Sequence, residues 1–448
     1  MDDLIRLFIH RSAQLPLDAD VEQLVAVAPY VHRLRTLSCA GSSIQRLPTF
    51  LEYPAPLLET LHIFPHPVFH FTTPLPALFN GDIPSLRELD VNGFDPFPNN
   101  SFRDLSSFRL QLSSGSGNPA FWNPLLAMLQ NSPQLEEFFL YLGAGYDNFP
   151  SAEDIPTPAA LHALRKLHIR GLTSTLVGQF LNSIDLPRSG IAMQFTDITK
   201  FDWMSSSTLP PHLSFRAVTS LEIIYYPNTG FTIQGTGAQM QIRVVETSDS
   251  NAMHADIFSR LVMRGDAQHP LRELWIHIGR GTNLRLPSPS RFPHLKTLIV
   301  RETTKGGPIY RLLRQLEVVG GRVVCPLLST LDLSGTVDRE LLARVLGTRS
   351  GAGHRLRMLR LGKTRGLRKD VERLRMWDYV DRLKIFDVNA ESRGMELPIV
   401  CTMDLGEWWR PWTPERTASV VDGGDFCVGQ GTLEEMVAHL RAIGDLFP

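Results

Sequence analysis

Three short stretches of the chain hold residue types that could do chemistry. Gly362-Lys363-Thr364 matches the end of a phosphate-binding loop, where backbone N–H groups and a lysine cradle phosphates after a strand. That loop needs a further glycine five residues upstream, and Arg357 stands there. The triplet therefore reads as a turn leaving a strand. His62, His66 and His70 recur every four residues, which on a helix would line up three imidazoles for a metal. Pro65 and Pro67 interrupt them and forbid that helix. Gly115-Ser116-Gly117 misses the spacing of a nucleophile elbow and reads as a surface loop. No paired carboxylates and no Ser/His/Asp arrangement can be inferred. The expectation is a chain without catalysis, metal or cofactor.

Charge is distributed unevenly. The 448 residues carry a formal net charge of −1. Between Arg260 and Lys384 there are 26 Lys plus Arg against 11 Asp plus Glu; the remainder holds 19 basic and 35 acidic residues. Arginines such as Arg311, Arg314, Arg339 and Arg344 read first as a solvated outer helix wall. A basic binding stretch for an acidic partner, with Arg301, Arg360 and Lys384 outward, is the alternative. Nucleic acid is disfavoured, because the basic residues lack regular aromatic interleaving.

Four cysteines, Cys39, Cys325, Cys401 and Cys427, form no C-x-x-C pair and are too few for a disulfide scaffold. A reducing cytoplasmic or nuclear compartment is expected. The start, Met1-Asp2-Asp3-Leu4-Ile5-Arg6, is no secretory signal, and no apolar run approaches the ~20 residues of a membrane helix.

The elements that must position any site follow one recurring pattern: apolar, two variable residues, apolar, one variable residue, apolar. Leu86 to Val91, Leu271 to Ile276 and Leu328 to Leu333 are copies. Copies begin at Leu34, Leu58, Leu86, Leu105, Leu135, Leu164, Val218, Leu271, Leu295, Leu328, Leu356 and Leu383. Two double gaps hold strand-like segments near Ile191 and Ile242. Fourteen units at a mean step of about 27 residues fall within the range of leucine-rich repeats. In a strand, side chains alternate faces, so the last two apolar residues of each copy point inward together. The predicted fold is α/β, a curved leucine-rich-repeat solenoid with parallel strands on the concave face and mixed helices and loops on the convex face. Helices are expected to open at Asp20, to run over 175–184 and 252–263, and to start near Asp338 and stop at Gly347; 64–76 has no helix pattern. Residues 1–33 are expected to cap the solenoid, 34–388 to form its repeats, and 389–448 to cap the other end. The last segment holds Trp408-Trp409-Arg410-Pro411-Trp412, whose tryptophans suit covering an apolar end better than a binding hot spot.

These copies resemble the repeat region of the F-box/leucine-rich-repeat proteins abundant in mushroom-forming fungi. The resemblance rests on copies that follow a proline or helix end, as in Ser132-Pro133-Gln134-Leu135 and Phe292-Pro293-His294-Leu295. It rests also on the opening Leu7 to Leu17, with its Arg11-Ser12 and Pro16-Leu17, and on mixed returns. It implies a substrate receptor of a ubiquitin ligase. The F-box itself is not found in this polypeptide, through truncation or loss, so adaptor docking is expected only if an F-box lies upstream. The ninth positions of the copies, among them Ser42, Phe94, Leu172, Gly279, Thr303, Thr336 and Thr364, lack the usual asparagine, and hydroxyls are expected to replace part of its ladder.

The expected function is protein–protein recognition on the strand face, with a stand-alone scaffold as the alternative. The outward positions are Glu88, Asp90, Glu137, Phe139, Lys166, His168, Glu273, Trp275, His277, Arg301, Asp332 and Arg360. Trp275, Phe139 and His277 are the expected anchors, since an outward aromatic has no core to join.

Overall fold

The computed structural model describes residues 15, 17–21, 28–41, 51–65, 77–93, 100, 102–112, 121–143, 149–150, 157–187, 191–196, 218–226, 230–237, 240–246, 270–278, 289–302 and 308–387. The chain divides into one unit of residues 1–391 with 395–410 and another of 392–394 with 411–448. All described residues lie in the first. The tryptophan-rich segment, Cys401, Cys427, His66, His70 and the helix expected over 252–263 lie outside them.

The strands, in chain order, are β1 (Leu17–Val21), β2 (Leu34–Gly41), β3 (Thr60–Pro65), β4 (Glu88–Asn92), β5 (Ser107–Leu112), β6 (Glu137–Leu142), β7 (Ala159–Ala160), β8 (Lys166–Arg170) and β9 (Ile184–Asp185). They continue as β10 (Ala192–Thr196), β11 (Ser220–Tyr226), β12 (Gly230–Gly237), β13 (Met240–Glu246), β14 (Glu273–Ile278), β15 (Thr297–Glu302), β16 (Thr330–Ser334), β17 (Leu356–Gly362) and β18 (Val380–Phe386). Among the described residues, β7 and β9 form a small pair and the other sixteen strands form one sheet. Its order is β1-β2-β3-β4-β5-β6-β8-β10-β13-β12-β11-β14-β15-β16-β17-β18. The fold is α/β, with a largely parallel sheet and few helices.

The repeat explains the register. Leu61, Leu89, Phe108, Phe138 and Leu167 are successive partners across β3 to β8. Leu221, Leu274, Leu298, Leu331 and Leu359 are successive partners across β11 and β14 to β17. All ten are at most 3% exposed and lie in one apolar core, as the inward positions of the pattern require. Six copies enter their strands through a turn whose leucine N–H bonds the carbonyl three residues back. Such bonds run from Leu58 to Ala55, Leu86 to Ile83, Leu135 to Ser132, Leu164 to Leu161, Leu295 to Phe292 and Leu328 to Cys325. Five of the six carry proline second, Pro56, Pro84, Pro133, Pro293 and Pro326, where its fixed φ suits the turn.

Rungs are joined by shared carbonyls. The Glu59 oxygen accepts from Arg87 and Glu88, that of Arg87 from Ser106 and Ser107, and that of Ser106 from Glu136 and Glu137. Thr219, Arg272, Lys296 and Ser329 repeat the device in the later strands. Hydroxyls reinforce it, with Ser106 donating to Arg87 O, Ser132 to Phe102 O and Ser329 to Lys296 O. These side chains precede the strands and are not at the ninth positions. Of those, Thr364 accepts from Arg339, while Ser42, Phe94, Gly279 and Thr303 lie outside the described residues.

One correction concerns order. The one-strand-per-copy path breaks at β11–β13. Strand β12, absent from the repeat count, pairs antiparallel with both β11 and β13, and β13 rather than β11 lies beside β10. Only three residues separate β11 from β12 and two separate β12 from β13. Connections that short permit only antiparallel neighbours. Gly235 lets the inserted strand approach, since a Cβ there would sit 2.9 Å from both Val218 methyls. Asp20 itself lies near the end of β1, which pairs in parallel with β2, and the residues of the helix expected to open there, 22–27, lie outside the described residues.

Described helices lie between strands. They are α1 (Trp122–Gln130), α2 (Ser174–Asn182), α3 (Pro308–Leu316), α4 (Arg339–Gly351) and α5 (Leu367–Arg373). Asp338 caps α4, its carboxylate accepting from Leu341 N at 2.9 Å. Gly347 does not stop this helix, which runs on to Gly351. Trp122 of α1 packs on Phe121, Phe149 and Phe180, and Phe180 reaches Phe138 of β6. Cys39 and Cys325 are buried in the core. Burial pushes the Cys325 thiol up to about 12, against the opposing pull of Arg349, so it stays protonated and structural. No helix among the described residues is long and apolar enough to cross a membrane.

Candidate recognition surface

The second face of the sheet carries the residues between the core positions. On β3 to β10 they form in-register rows. The middle row is His62, Asp90, Arg109, Phe139, His168 and Gln194. The row before it holds Thr60, Glu88, Ser107, Glu137 and Lys166. The row after it includes Gln111, Tyr141 and Arg170.

Contacts run along these rows. The Arg109 guanidinium lies 4.5 Å from the centre of the Phe139 ring, which is 5.1 Å from the His168 ring. His168 Nε2 is 2.9 Å from Thr196 Oγ1. Arg170 lies over Tyr141 at 4.8 Å, and Lys166 pairs with Glu137. Asp90 is 3.9 Å from both Arg109 and His62. Burial pushes the Asp90 carboxyl above its ordinary value, although Arg109 and His62 pull it down. Most of these side chains are half-buried, and Glu88 and Arg109 are exposed. At the start of β3 to β6, Glu59, Arg87, Glu88, Ser106, Glu136 and Glu137 line a cavity of about 370 Å³.

The same face on β11 and β14 to β17 differs. Glu222, Trp275, Ile299, Asp332 and Arg360 are successive partners there, with His277 and Arg301 in the next row. They are the outward positions of the pattern, yet Trp275 is 6% exposed, His277 2%, Arg301 4%, Asp332 1% and Arg360 8%. The expectation of open surface therefore does not hold for these five; Glu273, at the start of β14, is half-buried. His277 Nε2 lies 2.9 Å from Glu222 Oε1, and Arg360 lies 3.1 Å from Asp332 and over the Phe386 ring. Arg301 is 5.9 Å from the centre of the Trp275 ring. Burial holds the His277 imidazole below its ordinary value, against the Glu222 bond and charge, and Arg301 adds to the lowering. Glu222 was legible as the outward residue of the copy starting at Val218. Arg109, Tyr141 and Arg170 were legible the same way. Burial was not, because a period-2 pattern marks a face without saying what covers it.

Of the residues tested for chemistry, Gly362 ends β17 and Lys363 and Thr364 follow it in an exposed turn. Among the described residues no three His, Cys, Asp or Glu side chains group as a metal site would require. Neither the protein-family models nor the curated proteins compared with this chain match it.

Proposed function

We propose that the chain is a leucine-rich-repeat solenoid that recognises a protein partner non-catalytically. Its binding surface is the half-buried face of β3 to β10, with Phe139 as anchor and Arg109, His168, Glu88, Asp90, Glu137 and Lys166 around it. The observation that carries this reading is the row in which an arginine, a phenylalanine and a histidine touch one another in turn across three parallel strands on the side away from the core. Rigid strands hold these groups in place before any partner arrives, so little ordering entropy opposes docking. Aromatic and arginine side chains are also the types that dominate binding hot spots. Within this reading the biological role is target capture for a ubiquitin ligase in the cytoplasm or nucleus, by the resemblance of the repeats. Direct attachment to the ligase adaptor requires an F-box.

The test places a photo-crosslinking residue at position 111 or 141 on this face, and at position 127 on α1 as reference. A partner captured from the face positions, absent from the α1 position and lost with Phe139→Ala, supports the surface. Equal capture from all three positions rejects it. The ligase role is tested separately. Co-purification of the adaptor with the product of the longest transcript supports it, and failure to recover the adaptor refutes it without touching the surface.

A further inference from the structure

A second surface lies after β17, apart from the face of β3 to β10. The run Lys363-Thr364-Arg365-Gly366-Leu367-Arg368-Lys369 contains four cations and no acid. All four cations are exposed, while Leu367 is buried and fixes the run to the core. Glu372 on α5 is exposed and offsets one of these charges, while two nearby acids have other partners. Asp370 pairs with Arg339 and Arg373, and Glu340 pairs with Arg373. Arg339 also donates to Thr364 Oγ1 and to the Arg365 carbonyl, tying the turn to α4. Gly366 adopts φ +78°, a conformation a side chain would strain, so the bend between the two cation pairs is fixed. Immediately after α5 comes the turn Met376–Tyr379, where Met376 is buried and Trp377 is 45% exposed. Excess charge on an anchored bend, with an exposed indole past the short helix that follows it, suits the docking of one extended segment along α5.

We propose that Lys363, Arg365, Arg368 and Lys369, with Trp377, dock an acidic segment of a partner protein, a short Asp/Glu-rich stretch carrying one apolar anchor. The four cations attract the carboxylates and Trp377 receives the apolar residue. A nucleic acid fits less well. The patch is one turn and one short helix, and its single tryptophan is no stacking platform for successive bases.

The probe is a fluorescent Asp/Glu-only peptide carrying one leucine, titrated by anisotropy into the full chain at low salt. Binding is expected to weaken about ten-fold or more with K363E/R365E/R368E/K369E and to weaken with added salt. It should also weaken with Trp377→Ser, and persist with R311E/R314E, which reverses exposed charge on α3. Melting curves identify any variant that fails to fold; in that case the glutamine version of the quadruple variant and the salt series decide. Equal binding of a Gln/Asn version of the peptide, or retained binding by the folded quadruple variant, overturns the proposal. Tighter binding of a single-stranded oligonucleotide of equal charge, lost in the same variant, overturns the partner class.

Discussion

The two halves of the sheet's second face share one origin and end in different states. Both consist of the residues that alternate with core leucines, held in register by the same shared-carbonyl rungs. On β3 to β10 those positions hold Asp90, Arg109, Phe139, Lys166 and His168, half-buried or exposed and arranged in ring and ion contacts along the rows. On β11 and β14 to β17 they hold Glu222, Trp275, His277, Arg301, Asp332 and Arg360, all at most 8% exposed. Polarity alone does not separate the halves, since both contain charged residues of both signs. Solvent access does, and with it the energetic weight of each charge. In water an ion pair is nearly neutral for stability, whereas a buried one becomes costly once a single partner is removed. The first half can therefore change its residues for a partner's sake, and the second half cannot.

The largest expected effect tests that contrast directly. Asp332→Ala removes the buried carboxylate that lies 3.1 Å from the Arg360 guanidinium, itself 8% exposed. A loss of about 3–5 kcal/mol is expected by chemical denaturation. The matched change on the other half, Lys166→Ala opposite Glu137, should cost about 1 kcal/mol or less. Equal losses at both sites would remove the distinction between the halves.

This contrast also separates what the residues revealed from what they hid. The inward leucines were legible because three apolar positions per copy leave strand pairing one way to bury them, and Leu89, Leu274 and Leu331 do lie at equivalent register in one sheet. The prolines of the entry turns were visible in Ser132-Pro133 and Phe292-Pro293. The inserted β12 was not, because the repeat is defined by its six-residue pattern and β12 has none. Its signals were the Gly230, Gly235 and Gly237 that bracket alternating Phe231-Thr232-Ile233-Gln234. Trp275 and His277 were assigned correctly to a face and wrongly to open surface. Burial on that face depends on tertiary cover that no local pattern encodes.

The next effect is a pH dependence confined to the buried half. His277 has a folded-state pKa below its ordinary 6.5, chiefly through burial. Below pH 6.5 the unfolded chain takes up a proton that the folded chain still refuses. Its stabilising contribution is thus present above 6.5 and lost as pH falls, by up to about 1.4 kcal/mol per pH unit while the two states differ by one proton. His277→Gln should flatten this acid limb of the stability profile. An unchanged slope in the variant would assign the limb to other groups.

Arg109→Ala should have a smaller effect, about 0.5–1 kcal/mol, because its contact with Phe139 is at a half-exposed site. Its effect on partner capture through the β3 to β10 face should be larger than its effect on stability. No such excess is expected for a variant of Arg360.

The smallest effect carries the opposite sign. The Asp90 carboxyl is raised above 3.8, first by burial, with Glu88 adding to it and Arg109 and His62 opposing. A raised carboxyl favours folding below its unfolded value, and that support is lost as pH rises through the folded value. At neutral pH its ionisation therefore works against the fold. Asp90→Asn keeps the shape and removes the buried charge, so a slight gain in melting temperature is expected at pH 7, shrinking as pH falls toward 3.8. A clear loss would mean that the charge is held by Arg109 and His62 more firmly than burial opposes it. The half-exposed face would then be an organised ion network rather than a surface free to vary.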